Sequence, residues 1–307
     1  MRGFRFGFQV PASISSAGEL RAAALEAEAA GFDVLHTTDH VDDGWGSLAP
    51  LLAVAAATER LRVCPLVLNN DFYHPVHLAR EVASIDHLSG GRMELGIGAG
   101  HAFTEYAAIG APFDPPAMRK ARLAEAVEIL RLLLDGQEVT YAGEHYQVEG
   151  VRTMRTIQER LPILIGVNGR AALAHAARHA DVIGLTMLGR TLEDGQRHEV
   201  RWEAERLDRT VAYIRDQAAD RPSAPRLQAL IQVVEVTENR RAAAERTSAK
   251  LGLPVEDVLA TPFLALGTHA EIAAHLLDCR RRWGIDYFSV RDIKSFGPVI
   301  ERLRTLD

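Results

Sequence analysis

Short polar or glycine-rich clusters carry the residues whose types and spacing suit chemistry, and each follows an apolar run. Thr37-Thr38-Asp39-His40 ends in a carboxylate next to an imidazole. Imidazole titrates near neutral pH, and a neighbouring carboxylate can orient it and favour its charged form, so Asp39 and His40 suit acid/base work. A strand cap or a loop hydrogen bond is the plainer use of His40. Asn69-Asn70-Asp71-Phe72-Tyr73-His74 places two amides together. Amides both donate and accept, which suits a planar ring bearing carbonyl and N–H groups, although turn chemistry before Pro75 accounts for them equally well.

Gly96-Ile97-Gly98-Ala99-Gly100-His101 has too different a glycine spacing, and too late a place in the chain, for a dinucleotide fingerprint. It reads as backbone that a ligand or a neighbouring strand approaches closely, with Gly98 and Gly100 as the candidate contacts. His101 and Glu105 follow, as a second acid/base group and a substrate contact, or as the surface of a short helix. Gly166-Val167-Asn168-Gly169-Arg170 opens a helix, where free N–H groups and the positive helix end suit a phosphate. Arg170 adds charge to that cradle, and Thr186 and Gly189 stand where they would complete it; an ordinary glycine-containing loop is the alternative. Gly267-Thr268 and Arg291-Asp292 are weaker phosphate candidates.

These clusters need a scaffold that brings them together. Short apolar runs alternate with helical spacing along the chain, the mark of βα units on a parallel sheet. Strands are predicted at 4–10, 32–38, 62–69, 92–98, 162–167, 181–186, 227–236 and 286–290. Helices are predicted at 17–30, 48–59, 75–88, 116–134, 170–179, 201–217, 239–251, 270–283 and 297–306. Eight units with no break into halves favour one α/β domain over residues 1–307, a closed (β/α)8 TIM barrel, over an open doubly wound sheet. Two interruptions are predicted at the barrel's C-terminal face: a hairpin within 139–148 and a polar stretch at 189–199. In such a barrel the ends of the strands converge on one mouth, where active sites form. Trp45, Phe103, Tyr106 and Phe113 then either give the pocket an apolar side or pack loops onto the barrel.

Composition excludes several classes. The 307 residues are 47% hydrophobic and 25% charged with net charge −6, so no basic footprint for nucleic acid is expected. The two cysteines, Cys64 and Cys279, lie in apolar or amphipathic patterns without ligand spacing, so no metal is expected. No leader or membrane-spanning run is apparent, and a cytoplasmic protein is expected.

Together, His74-Pro75, the stretch from Leu88-Ser89-Gly90-Gly91-Arg92 into Leu95–Gly100, Pro162–Gly166 through Ala180-Asp181, and Leu266-Gly267-Thr268 resemble the luciferase-like monooxygenase superfamily, in particular its coenzyme F420-dependent (deazaflavin) branch. The resemblance spans about residues 6–290. It implies a deazaflavin at the mouth beside Asn69 and Asn70, with its phosphate on Gly166–Arg170 and Thr186. It also implies a non-proline cis peptide near the end of the third strand, within Leu68-Asn69-Asn70. Asp39-His40 and Trp45 look like the sugar-phosphate dehydrogenase subgroup, whose matching histidine and tryptophan lie beside the reactive ring. That subgroup has a glutamate as its acid directly after the last glycine of the strand-four motif. Here the residue is His101, so glucose-6-phosphate oxidation is not inferred. The resemblance implies hydride transfer between the cofactor and a small molecule, with His40 or His101 as acid/base, and a homodimer. Two other readings stand beside it: an FMN-dependent monooxygenase served by a separate flavin reductase, and a non-catalytic flavin- or deazaflavin-binding protein.

Overall fold

The computed structural model describes residues 2–191 and 198–306. Its first part comprises β1 (Arg5–Gln9), α1 (Ala17–Ala29), β2 (Val34–Thr37), α2 (Leu48–Ala57), β3 (Arg62–Pro65), β4 (Leu68–Asn69), α3 (Pro75–Leu88), β5 (Leu95–Gly98), α4 (Phe103–Ala108) and α5 (Pro116–Leu134). A hairpin of β6 (Val139–Ala142) and β7 (Gln147–Val151) precedes β8 (Ile163–Val167), α6 (Arg170–His179) and β9 (Val182–Leu185). The rest comprises β10 (Leu188–Thr191), β11 (His198–Val200), α7 (Ala204–Gln217), β12 (Arg226–Leu230), β13 (Val233–Val236), α8 (Arg240–Leu251), α9 (Val255–Ala260), β14 (Leu264–Gly267), α10 (His269–Trp283), β15 (Ile285–Val290) and α11 (Ile293–Arg304).

Nine segments form one parallel sheet in the order β3-β2-β1-β15-β12-β9-β8-β5-β4. The two ends of this order are halves of one stave, and a bridge between Val63 and Met93 brings that stave back beside the fourth. Eight staves therefore make the expected (β/α)8 barrel. Phe6 and Phe8 turn outward to meet Phe296 and Phe32 under the helices. Val34, Cys64, Leu164, Val182 and Tyr287 fill the lumen. This is the period-two alternation of a strand with both faces buried.

The lumen also holds a polar chain that has to be self-sufficient. His36 is fully buried, and its Nδ1 lies 3.1 Å from the Cys64 carbonyl. A carbonyl only accepts, so Nδ1 carries the proton and Nε2 accepts from Tyr287 Oη at 3.0 Å or Ser289 Oγ at 3.2 Å. Gln228 Nε2 donates to Ser289 Oγ at 3.0 Å. Burial pushes His36 down to about 4, so the chain is neutral at physiological pH. Gly7 makes room for it, since a Cβ there would stand 2.4 Å from His36 Nε2.

Four expectations need correction. The third strand is not continuous: it breaks between Pro65 and Leu68, and the cis peptide is Leu66–Val67, upstream of the expected 68–70. Leu68 and Asn69 pair in regular register with Ile97 and Gly98, so the irregularity falls on the unpaired residues before them. The seventh strand also stops early, at Leu230; β13 leaves the barrel and pairs with β14 in a separate two-stranded sheet. The fourth strand starts at Leu95 rather than Arg92. There Arg92 is spent on helix ends, donating to the carbonyls of Ala55, Thr58, Leu61 and Ser89. The hairpin forms as expected, two-stranded along α5. The polar stretch at 189–199 forms part of β10 and β11, and its residues 192–197 lie outside the described residues.

At the N-terminal end of the barrel, Glu94 is buried between Arg5 and Arg62 and bonded to both. Despite its burial, those guanidiniums hold its carboxyl below the usual carboxylate range. A lowered folded pKa means that the stabilisation is present above the unfolded value and is lost as pH falls through the folded one. Glu94→Gln is expected to lower the free energy of unfolding by about 2 kcal/mol at pH 7, because two half-buried cations lose their buried counter-charge. The variant should also lose part of the wild-type decline in stability below about pH 4.5. Urea melts across pH 3–7 check both.

Candidate active site

The C-terminal ends of the staves gather most of the chemistry-bearing clusters. Thr37 Oγ1 donates to the Ser47 carbonyl at 2.9 Å, which closes residues 38–46 into a loop over the mouth. That loop carries Asp39, His40 and Trp45. Asp39 does not orient His40. Its carboxylate oxygens accept from Asn69 N at 2.8 Å and Tyr73 Oη at 2.9 Å, tying the second stave to the third, and burial raises its pKa. The partner of His40 is instead Glu105 on α4, with Nδ1 2.7 Å from Oε1. His101 stands beside the pair, its ring centroid 6.1 Å from that of His40 at an interplanar angle of 82°. His40 is 43% exposed and Glu105 14%, so the carboxylate backs the imidazole and the imidazole faces the mouth. Such an arrangement orients one ring nitrogen and leaves Nε2 for a reacting group.

The asparagine pair divides its roles. Asn69 Oδ1 accepts from Asp71 N at 3.2 Å and from Tyr106 Oη at 3.1 Å. Asn70 Nδ2 donates to Tyr146 Oη at 3.2 Å, so the tip of the hairpin reaches the mouth end from outside. Asn69 is both a turn former and a reserve of hydrogen bonding, because its Nδ2 is buried without a partner. Gln9, at the end of the first stave, donates from Nε2 to the Leu66 carbonyl at 3.4 Å and leaves Oε1 buried and unpartnered. One orphaned donor and one orphaned acceptor at the strand ends are what a planar amide-bearing ring would satisfy. Nothing in the strand pattern of residues 5–9 singles out Gln9 for this.

The glycines of the fourth strand serve the protein's own backbone. A Cβ on Gly96 would stand 1.9 Å from the Pro65 carbonyl oxygen, and one on Gly98 would stand 2.9 Å from Val67 Cγ2. Gly100, at φ +69°, turns the chain so tightly that a Cβ would stand 2.2 Å from Tyr106 Oη. Arg119, buried on α5, donates to the Ala99 and Gly100 carbonyls and lies over the Phe113 ring at 4.2 Å. Tyr106 and Phe113 are therefore packing groups, 4.9 Å apart. Trp45 and Phe103 remain exposed.

The candidate phosphate cradle is assembled differently from expectation. Gly169, at φ +87°, precedes the first turn of α6 as supposed. Arg170 turns away, its guanidinium 4.4 Å from the Tyr213 ring centroid. The cation at the helix start is Lys120 of α5, whose Nζ is 3.2 Å from where a Gly169 Cβ would stand. Burial, then Arg119, lowers its pKa. Lys120 sits on the polar face of a long helix, and only tertiary packing brings it here. Thr186 Oγ1 donates to Asn168 Oδ1 at 2.8 Å, joining the fifth and sixth stave ends. Gly189 instead packs against Arg201 and Glu199. Thr268 and Asp292 are N-caps of α10 and α11, which accounts for those weaker phosphate candidates. A cleft of about 600 Å³ at the opposite end of the barrel is lined by Arg5, Arg62, Glu94 and Arg226. Those charges are paired, and that end of a barrel serves stability.

Known proteins resemble this chain in sequence and in fold. The family model described as luciferase-like monooxygenase matches residues 4–287. An F420-dependent glucose-6-phosphate dehydrogenase of Nakamurella multipartita is 34% identical over 185 residues, covering 58% of this chain and 54% of the relative. One from Microbacterium testaceum is 34% identical over 186 residues, covering 58% and 55%. The match thus spans about half the length of these relatives. Among solved structures, the F420-dependent tetrahydromethanopterin reductase of Methanopyrus kandleri superposes with TM-score 0.77 at 16% identity, covering 99% of each chain. A monooxygenase from Streptomyces bottropensis gives 0.71 at 22%, covering 97% of this chain and 96% of that one. These likenesses establish the fold.

Gly100→Ala is expected to lower unfolding free energy by about 2 kcal/mol or more, combining a left-handed backbone with a steric clash. Gly110→Ala has a similar φ of +70° but open space around it, so only the backbone part, about 1 kcal/mol, applies. Urea denaturation of the two variants measures the difference; equal losses would mean that the Tyr106–Asn69 contact does not constrain Gly100.

Proposed function

The chain belongs to the luciferase-like monooxygenase family, and on that footing we propose that it is a coenzyme F420-dependent oxidoreductase acting on a small organic molecule. The observation that carries the reading is the His40–Glu105 pair facing the mouth beside His101. The names of the relatives that match over 58% of this chain support the choice of cofactor.

The residues present fit a deazaflavin. Asn69 Nδ2 and Gln9 Oε1 offer a donor and an acceptor to a ring. Asn70, Gly98 and Gly100 belong to the surrounding wall. The N-terminus of α6 at Gly166–Gly169, with Lys120, offers positive potential to a phosphate, and Val167, Asn168 and Thr186 frame that cradle. When bound, the deazaflavin supplies or accepts a hydride at its C5. The protein handles the proton. Glu105 accepts from Nδ1–H of His40, which presents Nε2 to the substrate. For a C=O, C=N or electron-poor C=C bond being reduced, Nε2 gives the proton; for an alcohol being oxidised, it takes one. His101 is the second imidazole within reach of the same space. Asp39 acts as a positioning residue through Asn69 and Tyr73. Trp45 and Phe103 offer an apolar edge to the substrate. Because His101 follows the last glycine where the sugar-phosphate subgroup has a glutamate, glucose-6-phosphate is not the substrate proposed. By family likeness alone, the proposal extends to a cytoplasmic homodimer; no described helix is long and apolar enough to cross a membrane.

His40→Ala is expected to lower kcat about 100-fold or more, the usual contribution of a general acid or base. Glu105→Gln should lower kcat about tenfold with KM little changed, since it weakens orientation and not binding. Full turnover in His40→Ala with a loss in His101→Ala would transfer the proton role to His101. Lys120→Ala should raise the Kd of oxidised coenzyme F420 about tenfold, the worth of one charge-assisted bond; fluorescence titration reads this directly.

A further inference from the structure

On the outer wall of the barrel, away from the mouth, three side chains converge that the redox reading does not use. His175 and His179 are four residues apart on α6 and therefore share one face of it. Their rings lie 4.4 Å apart and nearly parallel. Glu128 of α5 faces them across the helix–helix seam, with Oε1 3.9 Å from His175 Nε2. One ligand atom from each of the three falls within 4.8 Å of the other two. The carboxylate is held from behind: Tyr141 Oη of β6 donates to Glu128 Oε2 at 2.8 Å, which leaves Oε1 toward the imidazoles.

An ordinary ion pair does not account for the cluster. At 3.9 Å the His175–Glu128 approach is too long for a hydrogen bond, and His175 Nε2 is buried without a partner. His175 is half-buried in the seam and His179 is exposed at its outer edge, so an ion from solvent can reach both rings. A neutral imidazole offers the lone pair that a metal takes, and one that an ammonium-like ring lacks. Two imidazole nitrogens and one carboxylate oxygen form a donor set for zinc and its neighbours in the first transition row. Calcium and magnesium prefer oxygen cages and are poorly served.

We propose that Glu128, His175 and His179 form a binding site for a divalent transition-metal ion of the zinc class, with water completing its coordination. The ion joins α5 to α6. The two histidines lie about 9 and 15 Å along α6 from Gly169, on the helix whose start, with Lys120 of α5, makes the anion cradle. Its effect is to fasten together the two helices that build the cradle, without taking part in the reaction.

The test is calorimetric titration of chelator-treated full-length protein with zinc chloride, with magnesium chloride as control, followed by thermal melts. Wild type should bind one zinc ion at this site and melt at a higher temperature with zinc than without. His175→Ala and His179→Ala should each lower that affinity at least tenfold while melting cooperatively without metal, and Tyr141→Phe should weaken it less. His40→Ala should bind zinc as wild type does, which separates this site from the imidazoles of the mouth. Absence of zinc binding by folded wild type, undiminished binding in both His175→Ala and His179→Ala, or loss of binding in His40→Ala would each overturn the proposal. None of these readouts depends on which redox cofactor the protein uses.

Discussion

The break in the third stave governs how the mouth is built. Between Pro65 and Leu68 the chain leaves the ladder and presses against the fourth and fifth staves, where only glycine leaves room. Gly96 and Gly98 would each put a Cβ inside contact distance of that segment, and Gly166 would put one 3.3 Å from Val67. Because the chain resumes its pairing at Leu68, Asn69 arrives at the stave end in register with Gly98. Asp39 then reaches across to Asn69 N and Tyr73 Oη, so the second and third stave ends become one unit. The placement of Gly100, Tyr106 and the short helix carrying Glu105 follows from that unit.

The barrel spends its buried polarity unequally along its length. At the N-terminal end, Glu94 and its two arginines satisfy one another, and the cost of burying charge is offset by close pairing. In the middle, the neutral chain through His36, Tyr287, Ser289 and Gln228 closes on itself. Toward the mouth, Gln9 Oε1 and Asn69 Nδ2 are buried and unmatched at the stave ends. A folded protein tolerates such atoms where a bound group completes them, which is why the ring-binding reading rests on these atoms and not on the number of polar residues nearby.

Local patterns were the most legible part of the sequence. Helices α3, α5 and α6 begin and end where Pro75, Pro116, Arg170 and their apolar spacing place them, because caps and period are short-range. The eight-stave barrel followed from their alternation with strands. What sequence left obscure depends on direction in three dimensions. Arg170 lies next to the cradle in sequence yet turns to Tyr213, while Lys120, 50 positions before it, arrives from α5. Glu105 and not Asp39 meets the His40 ring for the same reason: sequence adjacency to His40 does not decide which carboxylate its ring meets. His36 was hidden in a strand whose neighbours are apolar, and the break at Leu66–Val67 carries no local signal beyond Pro65.

The most direct test is a paired titration of apo-protein with oxidised coenzyme F420 and with FMN under identical conditions. Binding of the deazaflavin at least tenfold tighter than FMN is the expected result, corresponding to about 1.4 kcal/mol or more of preference. The opposite preference would contradict the assignment and return the protein to the oxygen-using, reductase-served side of its family.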